Sequence, residues 1–509
     1  MRYYIREDIM PKVEKRRYSI NMFTGVDAKN DQNTLPLTYC GYGYNISFDG
    51  GALKNGMGVV RAVINDNPMP HTGLIGKKIL RSWIYYKQDS ATGQRQDKIM
   101  ALLDDGYIYV LPLDYGEEDE FEKTDMSFPM GVACGLNYHA DDKDLFLLFG
   151  YYGGMYIYDG EDFESCPSAP GFDSVCVHYG RVYGTVSRGE NKVYFSDELN
   201  PSNWNVSMTE AGYISFPDQG GKVSKVVSFN DYVFIFRQNG IHRLTAYTDF
   251  TEFKLTKVWS TASRIYGDTV TLCGDKIIFL ADDGLYAFDG FTTVKIFTEL
   301  FPLIGEKRYS HACYYDYRYY LACCLKNKDQ SELGDEDEHT CNNAVIAFDL
   351  DQNQVNILRG ADIGCFTPLI LGETSQLLVN FNNFRGAYTG MIDDSGTLFG
   401  TPLKKLWQSP RTSLLRPDAD KIIRRIYLKA DAPLTITVGE GEDGEETVIE
   451  AEESHLIQTL SLSQKCQEVC VKLEWTRAAK FYLNGFLIEF DIIKRRHESG
   501  GQTDGGHTD

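Results

Sequence analysis

The sequence lacks the motifs of the common catalytic and nucleotide-binding sites. It contains no HExxH, no GxSxG, no GxxxxGK[ST] and no GxGxxG at the start of a helix. Its nine His stand singly, without a pair spaced for metal binding on a helix. We therefore expect no catalytic residue, no metal site and no cofactor, and we predict that the protein is not an enzyme.

Basic residues are scarce relative to acidic ones. The chain has 51 Lys and Arg against 72 Asp and Glu, which gives a formal net charge of −21. This balance excludes a general phosphate-binding surface, so contact with nucleic acid must be local or repulsive. The acidity is concentrated in residues 116–125, 328–338 and 439–453. We interpret these segments as solvated loops or edges, since none has the spaced oxygen ligands of an EF-hand.

The twelve Cys include no CxxC pair, and no apolar run reaches the roughly 20 residues of a membrane-spanning helix. We expect buried free thiols in a protein made in a reducing cytoplasm, without membrane insertion of its own. The N-terminal residues are charged from the start, which is not the pattern of a signal peptide.

Short apolar segments joined through Gly recur in the phrases LLDDGYIYVL, FGYYGGMYIYDG, FRQNGIHRLTA and LADDGLYAFDG. Asp-Gly, Asn-Gly and Gly-Gly supply the positive φ of tight hairpin turns, and the flanks are rich in β-branched and aromatic residues. Gly106 and Gly154 are 48 residues apart, and Gly240 and Gly284 are 44 apart. The 86 residues from Gly154 to Gly240 correspond to two repeats of 43. A period of about 40 to 50 residues in an all-β pattern is typical of a β-propeller.

Weaker turns complete the repeat. Turns near residues 106, 154, 191, 240, 284, 343 and 386 predict about seven blades, and six or eight are also compatible with the pattern. The first and last blades of a propeller often share a strand from the other end of the chain. The alternative is a large irregular β-sandwich. Turn chemistry explains the paired carboxylates in these hairpins, which are Asp104, Asp105, Asp282 and Asp283.

Changes in this rhythm divide the chain. We predict an N-terminal arm with the first strands at 1–75, the propeller at 76–403 and a basic, Pro-containing linker at 404–420. A small β-sandwich or jelly-roll-like domain at 421–494 and a disordered tail at 495–509 follow. The N-terminal arm carries six basic residues: Arg2, Arg6, Lys12, Lys15, Arg16 and Arg17.

The phrase KVYFSDELNPSNW resembles a segment of propeller-type structural proteins of tailed bacteriophages, the packaged-DNA stabilisation or tail-nozzle family of short-tailed phages. Two further phrases are similar to that family, YNISFDGGALKNGMGV and GYISFPDQGGKVSKVVSFNDYVFIFRQNGIHRLTA, and all three occur in the same order. The resemblance covers about residues 40 to 300. The acidic insertion at 326–343 and the C-terminal β domain have no counterpart in it.

The resemblance implies a virion protein of the tail or neck, made in the host cytoplasm. Such a protein forms a homo-oligomeric ring, most often hexameric, that closes the portal vertex and forms part of the channel for genome ejection. Its partners would be the portal or adaptor, other tail proteins and passing double-stranded DNA that it does not bind specifically. An acidic wall that repels phosphates suits this role. The candidate structural or assembly motif is Tyr194, Phe195, Ser196, Asp197, Asn200, Pro201 and Trp204.

Within this motif we expect Pro201 to fix the turn and Trp204 to anchor it in an apolar pocket, either at an interface or inside a blade. The alternative function is a carbohydrate-binding or receptor-binding propeller without catalysis. A glycoside hydrolase or lyase is a third possibility. It fits poorly, because the phrase closest to the repeated Asp-box turn of sialidase-like propellers, FSDELNPSNW, occurs once and carries an inserted Asn-Pro.

Overall fold

A computed structural model describes residues 14–89, 92–128, 131–140, 142–186, 191–247, 249–326, 342–371, 374–381, 389–440, 444–477 and 480–494. Outside these ranges lie Arg2, Arg6 and Lys12 of the N-terminal arm, most of the acidic insertion and the predicted disordered tail at 495–509. The chain divides into two compact units. We call Gly56–Leu403 the propeller unit, and Met1–Asn55 with Lys404–Asp509 the terminal unit.

In the described residues, seven strands precede the first complete blade. Those of the terminal unit are β1 (Glu14–Ile20), β2 (Tyr42–Tyr44), β3 (Ile46–Ser47) and β4 (Leu53–Asn55). Those of the propeller unit are β5 (Gly58–Arg61), β6 (Val63–Ile64) and β7 (Asn67–Pro68). Short 3-10 turns lie at Asp49–Gly51, Thr72–Leu74, Phe250–Glu252, Gly267–Thr269 and Phe301–Leu303.

Six blades are each built from four consecutive antiparallel strands. Blades 1 to 3 consist of β8 (Ile79–Tyr85), β9 (Lys98–Leu103), β10 (Tyr107–Pro112), β11 (Glu122–Ser127); β12 (Ala133–Ala140), β13 (Lys143–Gly150), β14 (Met155–Tyr158), β15 (Phe163–Cys166); and β16 (Ser174–His178), β17 (Arg181–Thr185), β18 (Lys192–Phe195), β19 (Gly212–Ser215). Blades 4 to 6 consist of β20 (Val223–Phe229), β21 (Tyr232–Arg237), β22 (Gly240–Thr245), β23 (Lys254–Ser260); β24 (Thr271–Cys273), β25 (Lys276–Ala281), β26 (Gly284–Phe288), β27 (Thr293–Ile296); and β28 (His311–Tyr315), β29 (Arg318–Cys323), β30 (Ala344–Asp349), β31 (Gln354–Arg359).

The seventh blade is closed by a strand from the other end of the propeller unit. It contains β32 (Ile363–Leu371), β33 (Thr374–Phe381), β34 (Thr389–Asp393), β35 (Thr397–Leu398) and β36 (Thr401–Pro402). Strand β5 pairs antiparallel with β34, with Gly58 opposite Asp393. The innermost strands contact one another in a closed circle, from β8 through β12, β16, β20, β24 and β28 to β32 and back to β8. The predicted all-β propeller is therefore confirmed, with seven blades.

The core of the propeller lies between neighbouring blades. Side chains alternate between the two faces of each sheet, so one set packs on the preceding blade and the other on the following blade. Blade 3 shows this alternation: Val182 belongs to the apolar cluster shared with blade 2, and the next residue, Tyr183, to the cluster shared with blade 4.

The predicted hairpin glycines separate into two groups. Gly106 and Gly154 have φ of +82° and +86°, as a tight turn requires. Gly240 and Gly284 instead begin β22 and β26, and neither is among the residues with positive φ. A Cβ on Gly240 would lie 2.5 Å from the backbone oxygen of Trp259, so close strand packing explains that glycine.

The terminal unit contains two main sheets. Its later strands are β37 (Lys404–Gln408), β38 (Ala419–Leu428), β39 (Leu434–Gly439), β40 (Glu446–Ala451), β41 (Gln458–Cys466), β42 (Cys470–Thr476), β43 (Tyr482–Leu483) and β44 (Phe486–Lys494). The sheet orders are β1-β44-β38-β41 and β2-β37-β42-β39-β40, with a small third sheet β3-β4-β43. Trp407 is fully buried, with its ring 5.2 Å from that of Phe23 and 6.0 Å from that of Phe486.

Two segment boundaries differ from those expected from the sequence. The segment 1–75 is not one element, because β1, β2 and β4 pair with C-terminal strands while β5 completes blade 7. The expected linker at 404–420 begins with β37, which pairs with both β2 and β42. Both differences arise from long-range pairing, which the local alternation of residues does not show.

Candidate structural and assembly motif

The aromatic start of the motif lies on β18, the third strand of blade 3. Tyr194 faces blade 2, with its ring 6.1 Å from that of Phe172. Phe195 faces blade 4, where it is buried with its ring 5.2 Å from that of Phe253. Successive residues of the strand therefore fix blade 3 against both neighbours.

Ser196 ties the following loop to β17. Its backbone N–H donates to the carbonyl oxygen of Val182 at 2.9 Å, and the N–H of Val182 donates to Ser196 Oγ at 3.0 Å. The Ser196 hydroxyl in turn donates to the Asp197 carbonyl oxygen at 2.9 Å. Because Ser196 is fully buried, this paired network holds the start of the loop in one position.

Asp197 and Asn200 shape the turn itself. The Asp197 N–H donates to the Asn203 carbonyl oxygen at 3.0 Å, and Asn200 Oδ1 accepts from the Ser202 hydroxyl at 2.8 Å. Leu199 has a positive φ of 53°, and its N–H donates to the Gly180 carbonyl oxygen at 3.0 Å. The loop is thus fastened to the β16–β17 turn beside it.

Trp204 closes the motif as a plug between blades 2 and 3. Its indole N–H donates to the Pro201 carbonyl oxygen at 2.8 Å. The ring packs on Phe149 of blade 2 and on Phe172 at centroid distances of 6.3 and 5.2 Å. Pro201 and Trp204 are both buried. The predicted apolar anchor exists, and it lies between two blades of one chain.

A buried arginine that the sequence analysis did not single out organises this loop. Arg181, the first residue of β17, has no exposed surface. Its guanidinium donates to the Ser196 carbonyl oxygen at 3.1 Å, to Glu198 Oε2 at 3.4 Å and to Glu210 Oε2 at 2.5 Å. The planar fork of Arg suits such multiple acceptors. The available signal was a charged residue inside the otherwise apolar and aromatic run VHYGRVYG.

Blade 4 contains a second buried arginine, at the end of β21. Arg237 donates from Nη2 to the Gly221 carbonyl oxygen at 2.9 Å, and its Nη1 lies 2.5 Å from Asp218 Oδ1 as an ion pair. A Cβ on Gly220 would lie 2.7 Å from the same Nη1, so the glycine permits the close approach. Burial, reinforced by Arg237, lowers the pKa of the adjacent His242 to about 4.

The hairpin carboxylates act as turn and ion-pair residues. Asp105 accepts from the Tyr109 hydroxyl at 2.9 Å and pairs with Lys77, and Asp283 pairs with Lys295 at 2.6 Å. Burial opposes ionisation of Asp105, but these hydrogen bonds and charges lower its pKa overall. Within the described part of the chain, no three His, Cys, Asp or Glu side chains are grouped to hold a metal ion.

The motif loop presents an apolar surface to solvent. The exposed fractions of Leu199, Val206 and Met208 are 58%, 51% and 84%. These residues lie on the loop between β18 and β19, which Arg181 and Trp204 hold from beneath. The loop thus combines buried anchors with exposed apolar side chains. In the described ranges, no helix is both long and apolar enough to span a membrane.

No protein-family model matches the chain, and no curated protein matches it either. Among solved structures, BBS1N in complex with ARL6DN is 8% identical, with a TM-score of 0.41 over 66% of this chain and 96% of that chain. Raptor of Chaetomium thermophilum is 11% identical, with a TM-score of 0.40 over 67% and 28% of the respective chains. PorZ of Porphyromonas gingivalis is 11% identical, with a TM-score of 0.39 over 77% and 46%. These likenesses concern the fold alone.

Proposed function

We propose that this β-propeller protein is a structural component of the tail or neck of a tailed bacteriophage. In this proposal, copies assemble into a ring, hexameric by analogy with the family that the sequence resembles. The ring closes the portal vertex, contacts the portal or adaptor and other tail proteins, and forms part of the channel for genome ejection. The protein is made in the host cytoplasm, acts in the virion and catalyses no reaction.

The observation that carries the proposal is the anchored loop of blade 3. The phrase that resembles the phage family supplies both the buried anchors and the exposed tip of this loop, Leu199. A rigid loop costs little conformational entropy on binding, and its apolar tip favours a protein partner. The net charge of −21 supports a conduit that does not retain DNA.

The other two resembling phrases also lie on elements that determine the architecture. YNISFDGGALKNGMGV runs from β2 to β5, and therefore leads from the terminal unit into the strand that closes the propeller. The third phrase covers β19 to β22, including the loop under which Arg237 is buried.

Mass measurement and imaging test this function. We expect native mass spectrometry and negative-stain images of the full chain to show closed rings. We also expect phage particles that lack the protein to lose packaged DNA after filling. Monomers at all concentrations, together with specific binding on a glycan array, would contradict the ring and favour the alternative of a carbohydrate-binding propeller.

A further inference from the structure

The terminal unit has a basic edge. Strand β1 pairs with β44, and no described strand pairs with its other side. Arg17, which is exposed, pairs with the buried Glu489 at 3.0 Å, and Arg16 pairs with Glu14 on the surface at 2.5 Å. Lys15 has no carboxylate within ion-pair distance among the residues that the structure describes. The unpaired N–H and C=O groups of this edge can accept another strand.

The same unit has an acidic edge on its other sheet. Strand β40 is an edge strand of this sheet. It pairs with β39 on one side, and no described strand of the sheet pairs with its other side. Glu446 and Glu450 are exposed, and between them Val448 is 59% exposed. Neither glutamate lies within 4.0 Å of a described cationic side chain. Thr447 lies on the opposite face, where it contacts Gln464 of β41 at 2.6 Å.

We propose that β1 of one copy docks on β40 of a second copy, which adds detail to the proposed ring and rests on it. The edges offer unpaired backbone groups, and their side chains have opposite charge. Pairing of β1 with β1, or of β40 with β40, would place like charges opposite one another. The charges therefore favour a head-to-tail contact between two different surfaces. Contacts of this kind generate a ring when the rotation between copies closes.

Charge reversal on each edge tests the contact. The basic-edge variant carries Lys15→Glu and Arg17→Glu, which lie on one face of β1, and the acidic-edge variant carries Glu446→Lys and Glu450→Lys, which lie on one face of β40. We expect each to weaken self-association of the full chain at least tenfold in sedimentation and native mass spectrometry. The variant with all four substitutions should recover association. An equimolar mixture of the two reversed variants should form rings in which they alternate, because each then offers the charge that the other lacks.

The control variant carries Glu252→Lys and Asp275→Lys, two exposed acidic residues of the propeller unit. It has the net charge of the acidic-edge variant and should associate as the unmodified chain does. If rings of the unmodified chain form and both edge variants keep them at unchanged affinity, the edge contact is wrong while the proposed function stands. If the unmodified chain forms no ring in solution or in particles, the ring itself is wrong.

Discussion

Blades 3 and 4 each bury an arginine under a loop, but the two loops present different surfaces. In blade 3, Arg181 binds two glutamates and two backbone carbonyl oxygens, and the loop above it exposes Leu199 and Met208. In blade 4, Arg237 binds the carbonyl oxygen of Gly221 and one aspartate, and the exposed part of that loop is Pro217 to Gln219. A buried arginine thus supports a loop with an apolar tip in blade 3 and a loop with a mainly polar tip in blade 4.

The difference indicates which parts of the motif serve the fold and which parts remain for contact. In blade 3, Ser196, Arg181 and Trp204 make buried hydrogen bonds within the chain, so their removal should lower stability. The exposed apolar groups have no role in the interior, so their removal should affect association alone.

The largest loss of stability is expected for Trp204→Ala. The substitution leaves a cavity between blades 2 and 3 and removes the bond to the Pro201 carbonyl oxygen, for a cost of about 3–5 kcal/mol in the free energy of unfolding. Urea denaturation followed by tryptophan and tyrosine fluorescence would measure it. Trp204→Phe, which fills most of the space, should cost less. A cost below about 1 kcal/mol for the alanine variant would show that the plug is dispensable.

Arg181→Met should come next, at about 2–3 kcal/mol, because it leaves the Ser196 carbonyl oxygen and the loop glutamates without their charged donor. The remaining carboxylates are partly exposed, with Glu210 53% exposed, which keeps the cost below that of a fully buried broken pair. The Arg181→Lys variant retains the charge without the fork and should recover only part of the loss. Equal stability of the methionine variant and the unmodified protein would refute the role assigned to Arg181.

Arg237→Met should cost less, about 1–2 kcal/mol, since fewer acceptors lose their donor in blade 4. The matched variant Asp218→Asn removes a partner that is 57% exposed and should cost under about 1 kcal/mol. Thermal unfolding of both variants beside Arg181→Met gives the order directly. A larger loss for Arg237→Met than for Arg181→Met would reverse the comparison between the two blades.

The repeat was predictable from the sequence because the turns between the second and third strands carry a local signal. Gly106, Gly154 and the turns at 238–239 and 282–283 all lie between those strands, and the weaker turns near 191, 343 and 386 fall in the same gaps, partly outside the described residues. Trp204 as an apolar anchor was also predictable, because a Trp in an otherwise polar loop is stabilised most when its large ring is buried.

Long-range pairing and buried charge were not predictable in this way. Strand β5 is only four residues long, and its pairing with β34 spans most of the propeller unit. The merging of both chain ends into the terminal unit has the same cause. The local signal of Arg181, a charge inside the run VHYGRVYG, does not predict burial, since a single Arg at a strand start is usually solvated. Its burial depends on acceptors that lie 15 to 29 residues further along the chain.

Blade 4 should be the more sensitive of the two to acid. The pKa of His242 is about 4 in the folded chain against 6.5 for an exposed His, so the unfolded chain binds the extra proton first. Stability is therefore retained above pH 6.5 and lost as the pH falls towards 4, by about 1 kcal/mol at pH 5.5. His242→Gln should remove this part of the pH dependence, measured as denaturation midpoints between pH 7 and 4.5. An unchanged slope would show that His242 is not the group responsible.

The smallest effect on stability, and the largest on association, is expected at the tip of the blade 3 loop. Met208 is 84% exposed and Leu199 is 58% exposed, so replacing both by Ser should change the free energy of unfolding by less than about 0.5 kcal/mol. If the tip contacts a partner, the same variant should lose binding to that partner in pull-downs with tail and portal proteins. Gln219→Ser on the blade 4 loop is the control, because that side chain is exposed and polar. If the variant lost stability but kept its binding, Leu199 and Met208 would serve the stability of the fold and not contact with a partner.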